Sequence, residues 1–216
     1  MTCIVICSGG PKRELCAFDE FISPNTRFIG ADRGALYLIE EGVIPLEIVG
    51  DFDSLSDEEW QRVSNIALKV EKVQAEKDDT DTDLALLKAV SYNPSEIYIT
   101  GVTGGRLDHF EAALRSMYRF QVKNPHIHIK IINSHNEISI LLPGEHTIIR
   151  DEKFRYISFF AYENEVENVT IRGLKYETTN DCIEIGTSRF TSNELISSLG
   201  YISFSSGICL MIRSSD

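Results

Sequence analysis

Two aspartates two positions apart, Asp51 and Asp53 of GDFDS (50 to 54), follow directly on the apolar run Ile48-Val49-Gly50. In extended backbone residues i and i+2 point to the same side, so both carboxylates can aim at one point. Held ~4 Å apart, two ionised carboxylates repel by roughly 4 kcal/mol at an effective dielectric near 20. A hard divalent cation that binds oxygen, Mg²⁺ above all, removes that cost and uses both groups. Helix capping is the competing use. Ser54 and Ser56, each three residues ahead of Asp57 and Glu59, have capping-box spacing, but Asp51 lies too far upstream to cap.

Three further stretches carry chemistry-bearing residues. In EKDDTDTDLAL (76 to 86), Asp78, Asp79, Asp81 and Asp83 crowd one turn before an apolar helical pattern, more charge than a helix N-terminus needs. Thr80 with Asp83 has cap spacing, so that capping and the helix dipole explain about half of the cluster, and Asp78 and Asp81 are the candidate functional pair. In GVTGGRLDH (101 to 109), Gly101, Gly104 and Gly105 offer bare backbone N–H groups to a phosphate, and Arg106 offers a bidentate cation. It is neither a Walker A loop nor GxGxxG. His109 alone reads as a hydrogen-bonding structural histidine before it reads as a base. ADRGA (31 to 35) adds Asp32, Arg33 and Gly34, with Asp32 as helix cap or ligand contact.

These residues need a scaffold that brings them together, and the surrounding texture supplies one. Short apolar runs (CIVIC, RFIGA, LEIVG, LKVEKV, EIYITG, IHIKIIN) alternate with helical stretches up to about residue 133. In the last helical stretch Phe110, Leu114, Met117 and Phe120 mark one apolar face. Such alternation predicts an α/β fold: a doubly wound, mostly parallel sheet with helices on both faces, ligands binding at the carboxyl ends of its strands. All the acidic and glycine-rich turns above fall at those ends. From residue 134 onward NEISILLPGEHTIIR, FRYISFFAY, ENVTIRGLKYE and GYISFSSGICLMIR are strand-like. Turn signals at Pro143-Gly144, Glu163-Asn164, Gly173 and Ser206-Gly207 separate them. Residues 1–133 therefore predict an α/β catalytic domain, and residues 134–216 an all-β sandwich.

The bulk numbers narrow the class. A formal net charge of -12 over 216 residues leaves no basic surplus for nucleic acid. A polyphosphate would have to be neutralised locally by a metal and a few cations. Five cysteines (Cys3, Cys7, Cys16, Cys182, Cys209) form no CxxC pair and suit a reducing compartment. The start MTCIVICSGG has no signal-peptide pattern, and no apolar run approaches the ~20 residues of a membrane span. A cytoplasmic protein with no membrane partner is expected.

ADRGA, GDFDS, EKDDTDTDLAL and GVTGGRLDH, in this order, resemble the thiamine pyrophosphokinase (thiamine diphosphokinase) family, bacterial type, with GLKYE (173 to 177), TSNEL (191 to 195) and FSSGICLMI (204 to 212) following. The resemblance spans nearly the whole chain. It implies transfer of pyrophosphate from ATP to the hydroxyl of thiamine with release of AMP. It further implies Mg²⁺ on Asp51, Asp53 and Asp78, with Asp81 as ligand or base. Asp32, Gly34, Gly104, Gly105, Arg106, Asp108 and His109 would hold ATP. In that family thiamine lies between the subunits of a homodimer, so Ser192 and Asn193 would form one wall. For the cationic thiazolium ring, Tyr176, Phe190 and Tyr201 are the aromatic candidates. DFD also occurs in other chemistry: an aspartyl-phosphate phosphatase, a sugar-nucleotide transferase, or a non-catalytic nucleotide sensor. A phosphatase of that kind would want its acids on the first strand, whereas here that strand ends in CSGGPKRE.

Overall fold

A computed structural model describes residues 2–72 and 80–216. Asp78 and Asp79 lie outside the described residues. The chain divides into two compact units, Met1–Ser134 and His135–Asp216.

In the first unit, strands β1 (Cys3–Cys7), β2 (Thr26–Ala31), β3 (Glu47–Gly50), β4 (Val70–Lys72), β5 (Glu96–Thr100) and β6 (His128–Ile132) lie in the order β6-β5-β1-β2-β3-β4. Every neighbouring pair is parallel. Helices α1 (Gly34–Glu40), α2 (Asp57–Ile66), α3 (Asp81–Ser91) and α4 (Leu107–Lys123) make the crossovers. Right-handed connections running outward through β2, β3 and β4 put α1 and α2 on one face. The return to β5 and on to β6 reverses direction and puts α3 and α4 on the other. β1 is thus covered on both sides, and Ile4, Val5 and Ile6 are all fully buried. Each such side chain contributes ~1.5–3 kcal/mol by leaving water. That is why these strands read as unbroken apolar runs rather than alternating ones.

Strand order reverses between β1 and β5, so the loops after these two strands flank a crevice at their carboxyl ends. Two glycines set how closely the loops approach. A Cβ on Gly10 would come within 2.3 Å of the Gly101 carbonyl oxygen, and a Cβ on Gly101 within 2.2 Å of that of Ser8. The Gly10 N–H donates to the Gly101 carbonyl at 2.7 Å.

The apolar face of α4 is rotated from the one the sequence suggests. Leu114 and Met117 are buried as expected, but Ala113, Ser116 and Gln121 go in beside them, while Phe110 and Phe120 stay half-buried. Small side chains let the helix approach the sheet, and the phenylalanines lie along its rim. Gln121 is buried because its amide is satisfied: it donates to the Ile127 carbonyl at 2.7 Å and accepts the Ile129 N–H at 3.0 Å.

The second unit is an antiparallel sandwich. One sheet contains β7 (Asn136–Leu141), β9 (Tyr156–Ala161), β12 (Asn193–Glu194) and β14 (Cys209–Ser214). The other contains β8 (Gly144–Ile149), β10 (Val166–Arg172), β11 (Thr178–Ile183) and β13 (Leu199–Phe204). Ile157, Phe159 and Met211 from the first sheet meet Ile148, Val169, Ile171 and Ile202 from the second in one core. All five cysteines are free thiols. Among the described residues no helix is long and apolar enough to cross a membrane.

Candidate active site

A cavity of about 670 Å³ opens at the carboxyl ends of the parallel strands, lined by residues from every one of the loops there that the sequence marks. Asp32 follows β2, Asp51 follows β3, Asp81 begins α3, and Gly101, Gly105, Arg106 and His109 come from the loop after β5 and the start of α4.

Asp32, Asp51 and Asp53 each place a carboxylate oxygen within 4.8 Å of the others. The backbone does this through unusual conformations. Asp32 has φ 49° and Phe52 φ 59°, left-handed values that cost a non-glycine residue on the order of 1–2 kcal/mol each. Gly50, at φ 142°, lets the chain pass close: a Cβ there would sit 3.2 Å from the Asp32 nitrogen and 3.3 Å from Asp81 Oδ1. The Asp32 N–H donates to the Val49 carbonyl at 2.9 Å, and Asp51 Oδ1 accepts the Asp53 N–H at 3.0 Å. Ser54 Oγ donates to Asp32 Oδ2 at 2.6 Å, while Asp32 Oδ1 is buried with no hydrogen-bond partner. A buried carboxylate oxygen without a donor is costly unless a ligand completes it.

The electrostatics follow from this crowding. Asp53 titrates above the ordinary carboxylate value, chiefly because of Asp51, with lesser effects from desolvation and Asp32. Asp81 is pushed up to about 6, first by burial and then by the charges of Asp32, Asp51 and Asp53. Four acids therefore converge from three loops, and among the described residues no Lys or Arg forms an ion pair with them. Arg33, the nearest in sequence, instead pairs with Glu59 at 3.4 Å and donates to the Ser54 carbonyl, clamping the two acidic loops together.

Capping accounts for the residues around these acids. Ser56 and Glu59 form a reciprocal capping box on α2, and Thr80 and Asp83 form one on α3. Asp83 also binds Arg119 at 2.6 Å. Asp32 is not a cap: Arg33 holds the N-cap position of α1, without a side-chain capping bond.

On the opposite wall, Arg106 and Asp108 form an exposed bidentate pair at 3.1 and 2.6 Å. The guanidinium holds the Asp108 carboxyl below its ordinary value. Gly104, at φ 74°, packs on Glu14. Asp53, Gly34, Gly104 and Asp108 are not among the residues facing the cavity. Gly34 lies beneath it, where a Cβ would be 1.9 Å from the Cys7 carbonyl oxygen, so glycine is needed there for α1 to pack on β1.

The sequence reading did not select Ser8, Gly9 and Gly10, which line the cavity beside Thr82 and Thr103. Ser8 Oγ is 3.0 Å from Thr82 Oγ1. The signal was available: Gly9-Gly10 stands at the end of the first strand, where the carboxyl-end rule applies as it does elsewhere.

In the second unit, Asn193 is buried and holds a turn rather than facing outward. Its Nδ2 donates to the Tyr176 carbonyl at 2.8 Å and its Oδ1 accepts the Tyr176 N–H at 2.9 Å. Ser192 has φ 54° and donates its N–H to Ser158 Oγ at 3.0 Å. Tyr176, Arg189, Phe190 and Asn193 border a small cavity of about 70 Å³, so two of the three aromatic candidates share one concavity. Tyr201 lies on β13.

Clustered acids facing glycine-rich loops at the switch point of a doubly wound sheet are the equipment of a nucleotide-dependent phosphotransferase. The family model described as thiamin pyrophosphokinase, catalytic domain, matches residues 18–131, and that for the vitamin B1 binding domain matches residues 145–209. A thiamine pyrophosphokinase of Bacillus subtilis (strain 168) is 41% identical over 100% of both chains. The crystal structure of thiamin pyrophosphokinase from Geobacillus thermodenitrificans superposes with TM-score 0.91 at 36% identity, covering 100% of this chain and 98% of that one. The enzyme from Candida albicans, 18% identical, shares the fold at TM-score 0.82 over 99% and 89% of the two chains. The chain belongs to the thiamine pyrophosphokinase family. It transfers a pyrophosphoryl group from ATP to thiamine, giving thiamine diphosphate and AMP.

Proposed function

We propose that the cavity of the first unit is where this transfer occurs, and that Asp32, Asp51, Asp53 and Asp78 hold a magnesium ion there. The observation that carries this reading is the cluster of three carboxylates within 4.8 Å, one of whose oxygens is buried without a partner. An all-oxygen anionic donor set suits a hard divalent cation. Such a cation, when bound, would neutralise charge on the triphosphate.

The chain's own groups do the rest. The N–H groups of the Gly9-Gly10 and Gly104-Gly105 loops and the Arg106 guanidinium bind phosphate oxygens. Arg106 exchanges its bond to Asp108 for one to the nucleotide, and Gly34 and His109 support the nucleotide from α1 and α4. The thiamine hydroxyl oxygen forms a bond to the β-phosphorus of ATP while the bond from that phosphorus to the α–β bridging oxygen breaks. AMP leaves with the bridging oxygen, and Asp81 accepts the hydroxyl proton. Burial and the neighbouring acids push the Asp81 carboxyl up to about 6, so it accepts a proton more readily than an ordinary carboxylate, as a general base requires. No protein nucleophile is needed, since alignment and charge neutralisation supply the catalysis.

In this reading residues 1–133 are the ATP and metal domain and residues 134–216 the thiamine-binding and dimerisation domain. The enzyme works as a cytoplasmic homodimer, a compartment that suits five unpaired thiols. Ser192 and Asn193 of the partner subunit border the vitamin, with Asn193 acting through the Tyr176 turn that it holds. The deciding experiment incubates the protein with ATP, Mg²⁺ and thiamine and identifies the products. AMP and thiamine diphosphate in equal amounts are expected, both lost when Mg²⁺ is removed by a chelator. Turnover that continues in excess chelator would overturn the metal assignment.

The two interlocked loops give a second expectation. Gly10→Ala forces the backbones apart and should raise the KM for ATP about ten-fold or more, with thiamine KM nearly unchanged, as steady-state kinetics would show.

A further inference from the structure

Asp51 and Asp53 belong to a turn whose middle residue points the other way. Phe52 is 5% exposed and packs with Leu36, Ile48 and Val63 in the core between α1, α2 and the sheet. Its ring centroid lies 4.6 Å from that of Trp60 at an interplanar angle of 36°. Trp60 sits in the first turns of α2, whose start is fixed by the Ser56–Glu59 capping box, and Glu59 is tied in turn to Arg33. Trp60 also receives the Lys72 ammonium, 5.4 Å from the ring centroid. An aromatic residue with φ 59° is held against its own conformational preference. Its ring is buried among Leu36, Ile48 and Val63, with Trp60 packed against it, and that burial opposes a return to ordinary backbone angles.

We propose that Phe52 and Trp60 are a positioning pair that presets the separation of the Asp51 and Asp53 carboxylates for a divalent cation. With the ring anchored, residue 52 stays left-handed and its two neighbours present their carboxylates beside Asp32. With the ring released, residue 52 relaxes toward ordinary backbone angles, and mutual repulsion carries the two carboxylates apart. The pair touches neither nucleotide nor vitamin; it acts through the aspartates. The inference rests on the metal reading above, and its test separates the two.

Mn²⁺ binding to the full-length protein is measured by calorimetry, with and without a non-hydrolysable ATP analogue, alongside the Mg²⁺ dependence of turnover and the thermal midpoint. Phe52→Ala and Trp60→Ala are compared with Met117→Ala, a core truncation in α4 outside this cluster. The expected result is a Mn²⁺ dissociation constant raised about ten-fold or more in both aromatic variants, the range seen when groups that orient metal ligands are lost. Half-saturating Mg²⁺ should rise in parallel, thiamine KM should hold steady, and the double variant should be no worse than either single one. Met117→Ala should lose thermal stability at unchanged metal affinity. Should Phe52→Ala not fold, Phe52→Leu and Trp60→Phe carry the comparison, Trp60→Phe keeping near-normal affinity because it retains a ring. Aromatic variants that melt early yet bind Mn²⁺ like the parent would overturn the positioning role and leave the metal site standing. A parent protein that binds no Mn²⁺ under either condition would overturn both.

Discussion

Asp51→Asn is expected to lower kcat/KM by at least ~10²-fold, the order seen when one preorganised charge-stabilising group is removed from a reacting centre. The protein should stay folded. Asp51 Oδ1 accepts the Asp53 N–H, and an asparagine carbonyl oxygen can accept the same bond. Removing its charge also takes away the largest influence raising the titration of Asp53, which should fall back toward its ordinary value. Circular dichroism and thermal melting would then match the parent in chelator, while turnover measured as AMP release collapses. Full activity in this variant would remove the acidic cluster from the mechanism.

Asp81→Asn should separate activity from stability even more sharply. Turnover is expected to fall by about 10²–10⁴-fold, the usual contribution of a general base. Stability of the metal-free protein should move the other way. The folded pKa of Asp81, about 6, lies above its ordinary value of 3.8, so the folded chain holds a proton that the unfolded chain has released. The stability this contributes is complete below the unfolded value and is lost as pH rises through about 6. Asparagine cannot ionise and escapes that loss. In chelator the melting temperatures of variant and parent should nearly coincide at pH 4 and diverge in favour of the variant by pH 7, following the same titration. Parallel curves across that range would mean that Asp81 is well solvated and not poised as a base. The site would then be one the fold tolerates at a cost, as expected where acids are gathered for a ligand.

Which parts of this were legible in the sequence follows from the range of the forces involved. The parallel strands stood out because they are buried on both faces, leaving runs such as Cys3–Cys7 with no polar interruption. Capping boxes at Ser56–Glu59 and Thr80–Asp83 are local four-residue patterns, and both formed. β11 was not legible: TTNDCI is polar, its pairing with β10 is irregular, and Asn180 turns left-handed within it. The face of α4 was misread because size, rather than hydrophobicity alone, decides what enters a tight helix–sheet contact; Ala113 and Ser116 fit where Phe110 and Phe120 do not. Motif spacing pointed to the acidic loops, but their convergence on Asp32 depends on β2 lying beside β3, a fact of topology. The Ser8–Gly10 wall carried a local signal, a Gly-Gly pair at a strand end, but the loop it faces is again set by topology. It matters only because β1 pairs with β5, more than eighty residues later in the chain.

That last pairing has a consequence for how the molecule comes into being. While the chain is being synthesised, β1 can find β2 early, but its other flank has no strand to pair with until residues 96–100 emerge. Closing so long a loop is slow compared with local helix formation. A nascent chain halted before Glu96 would therefore carry a fully apolar strand with one open edge, a sticky surface of the kind chaperones engage. The cavity at the carboxyl ends of the strands and the protection of that edge arrive together, in the same late step.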